Sequence, residues 1–234
     1  MLVVFANRHD AGARSLVARW ASQGAALLTC EDLSVAGWRH SLDSSAGRAV
    51  VAGRPIATQE ITGVLVRWPG VLAHELGQID PEDREYVAAE MTAFLRSWLT
   101  RLHCPVINRP TAISLLGPAW RPEQWVHTAA RLGIPVRPIR RHALFEAATP
   151  THTPPEPATV TVIGERCFGD TDPILADRAR LLAAAAGATL VDVQFSGPEA
   201  GAKLISADLY ANLDGDERAG AVLDLLLNGA GGRS

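Results

Sequence analysis

Apolar and polar residues follow one another in blocks, and these blocks predict alternating strands and helices. The apolar run at 2–6 predicts a buried strand, and apolar positions at helical spacing predict a helix over about 10–23. Gly24 ends this helix, and the apolar run at 25–29 predicts a second strand. A strand–helix–strand unit of this kind is typical of a doubly wound parallel sheet.

The same criteria predict the remaining elements. Asp80 as a cap and Pro81 in the first turn predict the start of a long helix. In chain order, we predict short antiparallel strands at 48–51 and 55–56, a strand at 64–66, a helix at 81–102, a strand at 105–108, a short helix after Pro110, a helix at 122–132, strands at 136–139, 159–163 and 165–168, a helix at 173–186, strands at 188–195 and 203–209, and a final helix at 217–227.

Composition narrows the class of protein. The chain has 234 residues, 47% of them hydrophobic and 20% charged, with a net charge of −3. These values exclude a disordered chain, and the near-neutral balance argues against binding to nucleic acid or to a membrane surface. We find no long apolar run and no signal segment, and the three isolated cysteines fit a reducing cytoplasm. The first strand is not followed by a glycine-rich fingerprint, which disfavours a nicotinamide cofactor.

Four short motifs occur in order along the chain: VRWPG at 66–70, INRP at 107–110, RPEQ at 121–124 and VTVIGER at 160–166. Their order resembles the ATP-grasp superfamily, and within it the branch of microviridin-type peptide maturases and ribosomal-protein glutamate ligases. The resemblance implies an α/β chain with a Rossmann-like pre-ATP-grasp domain over 1–110 and an ATP-grasp-like α+β domain over 111–234. It also implies four ligand-binding residues, Arg67, Trp68, Asn108 and Arg166.

The small lobe that covers the nucleotide in this family is expected to be missing. Four short strands and two helices require about 44 residues, or about 60 with loops. Only about 20 residues separate the strand at 136–139 from the hairpin at 159–168. Within that stretch, residues 147–158 contain four prolines and are predicted to form a loop.

The cationic residues of the family are also reduced. The family places one lysine where Arg121 stands and a second in the small lobe, and both contact the phosphates of ATP. Arg121 is able to retain one contact, because a guanidinium binds phosphate well. The resemblance therefore implies Arg121 and Gln124 as the nucleotide-binding residues. The chain's one lysine, Lys203, is far from both motif positions.

The resemblance also implies a magnesium site, in altered form. The family uses an aspartate on one strand, and a glutamate and an asparagine two residues apart on the next. Here Asp192 matches the first ligand and Asp208 replaces the glutamate, but Tyr210 stands where asparagine is expected. Period-2 alternation would put Asp208, Tyr210 and Asn212 on one strand face, so the resemblance leaves Asn212 open as a shifted third ligand. We expect the strands of Asp192 and Asp208 to be adjacent.

Structural interpretations compete with some of these functional ones. The residues His9-Asp10 form either the lip of a site or, as we favour, a helix cap. Arg67 and Trp68 either recognise a ligand or pack together at a strand end, with the guanidinium stacked on the indole.

We predict a degenerate, non-catalytic ATP-grasp-like protein that binds a peptide or a ligase partner and needs no cofactor. The alternative is an ATP- and Mg²⁺-dependent carboxylate–amine ligase whose nucleotide site is minimal or completed by a partner. A small-molecule binder without nucleotide is a third option. Loss of the small lobe would expose apolar surface, so we expect a homodimer or a heteromer.

Overall fold

The chain forms two compact units in the computed structural model, which describes residues 1–40, 47–137 and 157–229. The first unit comprises Met1–Ala119 and Asn212–Ser234, and the second comprises Trp120–Ala211. The final helix therefore groups with the first unit, which differs from the sequence-based division at residue 110. The loop predicted at 147–158 lies almost wholly outside the described residues. So does most of the stretch between 139 and 159, where the family's small lobe is expected to be missing.

The described elements alternate much as the apolar pattern predicts. In chain order they are β1 (Leu2–Phe5), α1 (Ala11–Arg19), β2 (Ala26–Leu28), β3 (Arg48–Val51), β4 (Arg54–Ala57), β5 (Gly63–Val66), α2 (Arg84–Arg101), β6 (Val106–Ile107), α3 (Pro122–Arg131), β7 (Ala158–Ile163), β8 (Arg166–Phe168), α4 (Pro173–Ala186), β9 (Leu190–Phe195), β10 (Leu204–Asp208) and α5 (Asp216–Asn228). Among the described residues, no helix has both the length and the apolar run that a membrane crossing requires.

The first unit is built on a parallel four-stranded sheet in the order β2-β1-β5-β6. Every residue of β1 and β5 is buried, as expected for central strands covered on both faces. The chain leaves β1 toward β2 on one side and leaves β5 toward β6 on the other. The sheet thus has a switch point between β1 and β5, and the loops at their carboxyl ends flank it. The hairpin β3–β4 forms a separate two-stranded sheet.

The second unit is built on an antiparallel sheet in the order β10-β9-β7-β8. Alternate residues of the central strands face one apolar core, which α3 and α4 complete. This core includes Val160, Val162, Val191, Val193, Trp125, Leu175, Ala179 and Leu182. The intervening residues of β7 and β9, such as Thr161 and Asp192, lie on the other face of the sheet.

Two predicted helices differ from the structure: one begins later than predicted, and the other does not form. Helix α2 begins at Arg84 rather than at residue 81, because the Asp80 carboxylate accepts from the Glu82 amide within a turn that precedes the helix. The short helix predicted after Pro110 does not form, since the Thr111 hydroxyl donates to the Gly117 carbonyl in an irregular loop. Of the strand predicted at 136–139, Val136 forms one parallel bridge with Leu204, and residues from 138 on lie outside the described part.

Candidate functional site

A buried ion pair joins the two loops at the switch point of the parallel sheet. Asp10 follows β1, and its Oδ1 accepts from the Ala13 amide at 2.9 Å, which caps α1. Its Oδ2 accepts from Arg67 Nε at 3.0 Å, and the two side chains are only 5% and 7% exposed. The helix-cap interpretation of Asp10 is therefore confirmed. Arg67 is held by a carboxylate from the neighbouring loop, so its role as a ligand-binding residue stays a prediction.

The carboxylate of Glu75 gathers three donors beside this ion pair. Its Oε2 accepts from Trp68 Nε1 at 2.9 Å and from the Leu72 amide at 3.0 Å. Its other oxygen accepts from the side-chain amide of Asn7. Glu75 thus connects the loop that follows β5 to the loop that follows β1. The indole N–H of Trp68 is therefore hydrogen-bonded within the protein, and ligand binding by Trp68 stays a prediction.

The thiol of Cys30 lies in the same region and is not a nucleophile at neutral pH. Burial, followed by the negative charges of Glu75 and Glu31, raises the pKa of Cys30 to about 12. A thiol with such a pKa stays protonated, whereas a reactive cysteine requires a lowered value. Arg8 forms an exposed ion pair with Glu31 at 3.0 Å.

Asn108 lies directly after β6 and is buried. Gly117 packs against it with a φ of +106°, and a Cβ placed on that glycine would lie 2.8 Å from Asn108 Cβ. A side chain at residue 117 would therefore clash with Asn108 as well as strain the backbone. Asn108 is part of a tightly packed loop, and its predicted contact with a ligand stays a prediction.

The predicted nucleotide-binding residues lie at the start of α3. Gln124 Oε1 accepts from the Arg121 amide at 2.8 Å, so this side chain serves as a helix cap. Arg121 itself is exposed. The predicted ligand residue Arg166 lies on β8, where its guanidinium is 5.0 Å from the centroid of the Phe168 ring. This distance allows a cation–π contact within the second unit.

Two of the three predicted metal ligands are direct neighbours across the second sheet. Asp192 on β9 pairs with Asp208 on β10, so the expected adjacency of these strands is confirmed. On its other side Asp192 pairs with Thr161 on β7, and the Thr161 hydroxyl donates to Asp192 Oδ1 at 2.6 Å. Asp192 is only 8% exposed, whereas Asp208 is exposed and its Oδ1 accepts from the Tyr210 amide at 2.9 Å.

The third predicted ligand does not lie on the same strand. Strand β10 ends at Asp208, so the alternation that would align Asp208 with Asn212 is wrong beyond that residue. Asn212 belongs to the first compact unit, and its Oδ1 accepts from the Asp214 amide at 2.8 Å. Within residues 1–40, 47–137 and 157–229, no three His, Cys, Asp or Glu residues form a group able to hold a metal ion.

Thr161 and Glu75 are the residues at these sites that sequence reasoning missed. Thr161 interrupts the apolar strand β7 at an alternate position, which was a signal that it faces away from the core. Glu75 ends a single 3-10 turn at Ala73–Glu75, which is too short to show a periodic pattern, and its partners Asn7 and Trp68 come from two other segments. No local signal identifies it.

The fold is similar to that of several solved structures. The macrocyclase MdnC of Microcystis aeruginosa MRC, bound to the precursor peptide MdnA, superposes with a TM-score of 0.70 at 10% identity, covering 98% of this chain and 100% of that chain. An ATP-grasp ligase of Chryseobacterium gregarium, in complex with ADP and a leader and core peptide, has a TM-score of 0.70 at 9% identity, covering 97% and 96%. The ATP-grasp ligase PsnB, complexed with minimal precursor, Mg and ADP, has a TM-score of 0.67 at 13% identity, covering 98% of each chain.

Sequence comparison finds no such relatives, since no family model and no curated protein matches the chain. At identities of 9–13%, the structural similarity concerns the fold. The chain therefore has an ATP-grasp-like fold.

Proposed function

We propose that this protein is a non-catalytic, ATP-grasp-like accessory protein that binds a peptide or a ligase partner. The chain has kept the fold of peptide-modifying ligases and, on this proposal, has lost the small lobe and the nucleotide chemistry. The proposal is carried by one observation: most of the side chains that the resemblance implies for nucleotide and metal binding form hydrogen bonds within the protein. Each of Gln124, Asp192, Asp208 and Asn212 has a side-chain oxygen in a hydrogen bond within the protein.

The phosphate-binding capacity of the chain supports the same proposal. Lysine and arginine are the usual partners of phosphate, and Lys203 is the chain's single lysine. Lys203 comes just before β10 and is exposed, and Arg121 is exposed at the start of α3. Of the two positions where the resemblance places a phosphate-binding lysine, Arg121 is the one that carries a cation here, and a single guanidinium is a weak basis for holding a triphosphate.

Peptide binding is proposed from the structural neighbours. Three of them are complexes, with a precursor peptide, with a leader and core peptide, and with a minimal precursor. A protein with this fold and without ligation chemistry is suited to hold such a peptide for a complete enzyme. On this proposal it acts in the cytoplasm as a homodimer or in a heteromer.

The alternative is an ATP-dependent carboxylate–amine ligase, and the opposed pair Asp192–Asp208 is the observation that favours it. Two carboxylates in direct opposition repel unless a cation lies near them. Carboxylate oxygens are ligands that magnesium accepts. When bound, magnesium would stabilise the charge of a phosphoryl group during transfer.

Calorimetric titration with Mg-ATP tests the non-catalytic proposal. We expect binding weaker than millimolar, because a lobe that covers the nucleotide is proposed to be lost and the phosphate contacts are few. Micromolar affinity would overturn the proposal and favour the ligase. An assay for ADP release with and without a precursor peptide such as MdnA, which the neighbour MdnC binds, distinguishes the competing outcomes further.

A further inference from the structure

Thr161, Asp192 and Asp208 form one row across three strands of the second sheet. Asp192 on β9 is paired with Thr161 on one side and with Asp208 on the other. Residues directly opposed in an antiparallel pair point to the same face, with Cβ atoms about 4.5–5.5 Å apart. The three polar side chains therefore stand side by side, on the face opposite the apolar core.

The central carboxylate of this row is buried together with the hydroxyl that donates to it. Thr161 is fully buried, Asp192 is 8% exposed, and the Oγ1–Oδ1 distance is 2.6 Å. Hydrogen bonds of this length to a carboxylate are roughly twice as strong as neutral ones. Burying a carboxylate costs free energy unless its charge is compensated. This hydrogen bond therefore supplies part of the stabilisation that a cation supplies in a metal site.

The two other residues predicted as magnesium ligands also form hydrogen bonds with nearby backbone amides. Asp208 Oδ1 accepts from the Tyr210 amide, and Asn212 Oδ1 accepts from the Asp214 amide. Magnesium demands near-octahedral geometry and keeps several of its waters, which requires open oxygens beside solvent. Asp192 is shielded from solvent, and Asn212 lies outside β10, so the residues present do not fit a magnesium ion.

We infer that the Thr161 hydroxyl takes the place of a divalent cation beside Asp192. The carboxylate that the family resemblance assigns to magnesium is then a structural group, joined to β7 and independent of metal. This inference rests on the proposed non-catalytic function and deepens it, because it states how the sheet retains the acidic residue after metal binding is lost.

The test compares melting temperatures of the wild type and three variants, in EDTA and in millimolar MgCl₂. Thr161→Val removes the hydroxyl at nearly constant shape, and Thr161→Ser retains it. Thr159→Val is the matched control, because Thr159 lies on the same strand and face and pairs with Gln194. We expect Thr161→Val to melt about 5 °C lower and the other two variants to change by less than about 2 °C. MgCl₂ should shift none of them.

Two results would overturn the inference. In one, MgCl₂ raises the melting temperature of the wild type and Thr161→Val abolishes that response, which would make Thr161 a support for a metal ligand. In the other, Thr161→Val is as stable as Thr159→Val, so the hydroxyl contributes nothing. The Mg-ATP titration is separate: tight ATP binding with no response to MgCl₂ alone would refute the non-catalytic function and leave the role of Thr161 intact.

If Thr161→Val does not fold, Asp192→Asn in the same background keeps the inference testable. Removing the charge removes the need for a charge-assisted donor, so the double variant should regain a cooperative melting transition. A double variant that stays unfolded while Thr159→Val folds would count against the inference, because the defect would then be independent of the carboxylate.

Discussion

Asp10 and Arg67 are 57 positions apart in the chain, yet their side chains form a buried ion pair with an Nε–Oδ2 distance of 3.0 Å. The same carboxylate caps α1 through the Ala13 amide. One aspartate thus fixes the start of a helix and neutralises the arginine at the end of β5. The pair connects the two loops at the point where the parallel sheet changes direction.

Replacing Arg67 should be strongly destabilising. Arg67→Met would leave a buried carboxylate without its cation, and loss of one partner of a buried pair costs about 3–5 kcal/mol. The matched control is Arg8→Met, which removes a largely exposed ion pair with Glu31 and should cost at most about 1 kcal/mol. Urea denaturation of both variants measures the difference. Equal decreases in the free energy of unfolding would show that the Asp10–Arg67 pair contributes no more to stability than the exposed pair.

Glu75→Gln should destabilise the loop after β5. The carboxylate accepts three hydrogen bonds, whereas the amide has one oxygen and would turn a donor toward Asn7 or Trp68. We expect a loss of about 1–3 kcal/mol. Glu85→Gln, on the exposed surface of α2, is the control and should be nearly neutral. Urea titration with tryptophan fluorescence as the signal tests this, and a variant as stable as the control would contradict it.

The raised pKa of Cys30 predicts a stability that falls in alkali. Below the unfolded-state pKa of about 9, the thiol is protonated in both states and its contribution to stability is complete. As the pH rises from about 9 toward 12, the unfolded thiol ionises while the buried one does not, so the contribution is lost. In a variant that keeps Cys30 and has alanine at Cys104 and Cys167, alkylation should be slow at pH 8 and faster after Glu75→Gln. Rapid labelling of the native thiol at pH 8 would refute the prediction.

Asp208→Asn should stabilise the protein slightly. The substitution removes a charge directly opposite Asp192 and keeps an oxygen for the Tyr210 amide, so the gain should be about 0.5 kcal/mol. Glu90→Gln removes an exposed charge on α2 and controls for the net charge of the chain. Calorimetry should give a higher melting temperature for Asp208→Asn than for the control. If a cation bridges the two carboxylates, Asp208→Asn will instead lose stability, and only the wild type will respond to magnesium.

Local signals explain which parts of the fold were predictable. Helix α4 spans 173–186 as predicted, because Asp172 caps its start and Gly187, with a φ of +65°, ends it. The start of α2 was misplaced because Asp80 has the same cap signature but closes a preceding turn. The ATP-grasp-like fold was recognisable because several weak motifs occur in the correct order.

The site was harder to predict because it depends on pairing between distant segments. Adjacent strands brought Asp192 and Asp208 together as expected, since both strands were visible in the apolar pattern. The partners Thr161 and Asp10 were not predictable as partners, because each depends on a strand register or on a loop path that local sequence does not encode. Asn212 was assigned by continuing an alternation past the end of β10.

Helix α5 gives the chain an order of assembly. It contacts β5, where a Cβ on Gly63 would lie 3.0 Å from Leu226 Cβ, so the two backbones are close. The second unit is thus an insertion between β6 and α5 of the first. During synthesis, every residue of the inserted unit leaves the ribosome before α5 does. Until α5 is synthesised, one side of β5 in the first unit is therefore incompletely packed. Synthesis that stops within the inserted unit would leave a parallel sheet without its last helix.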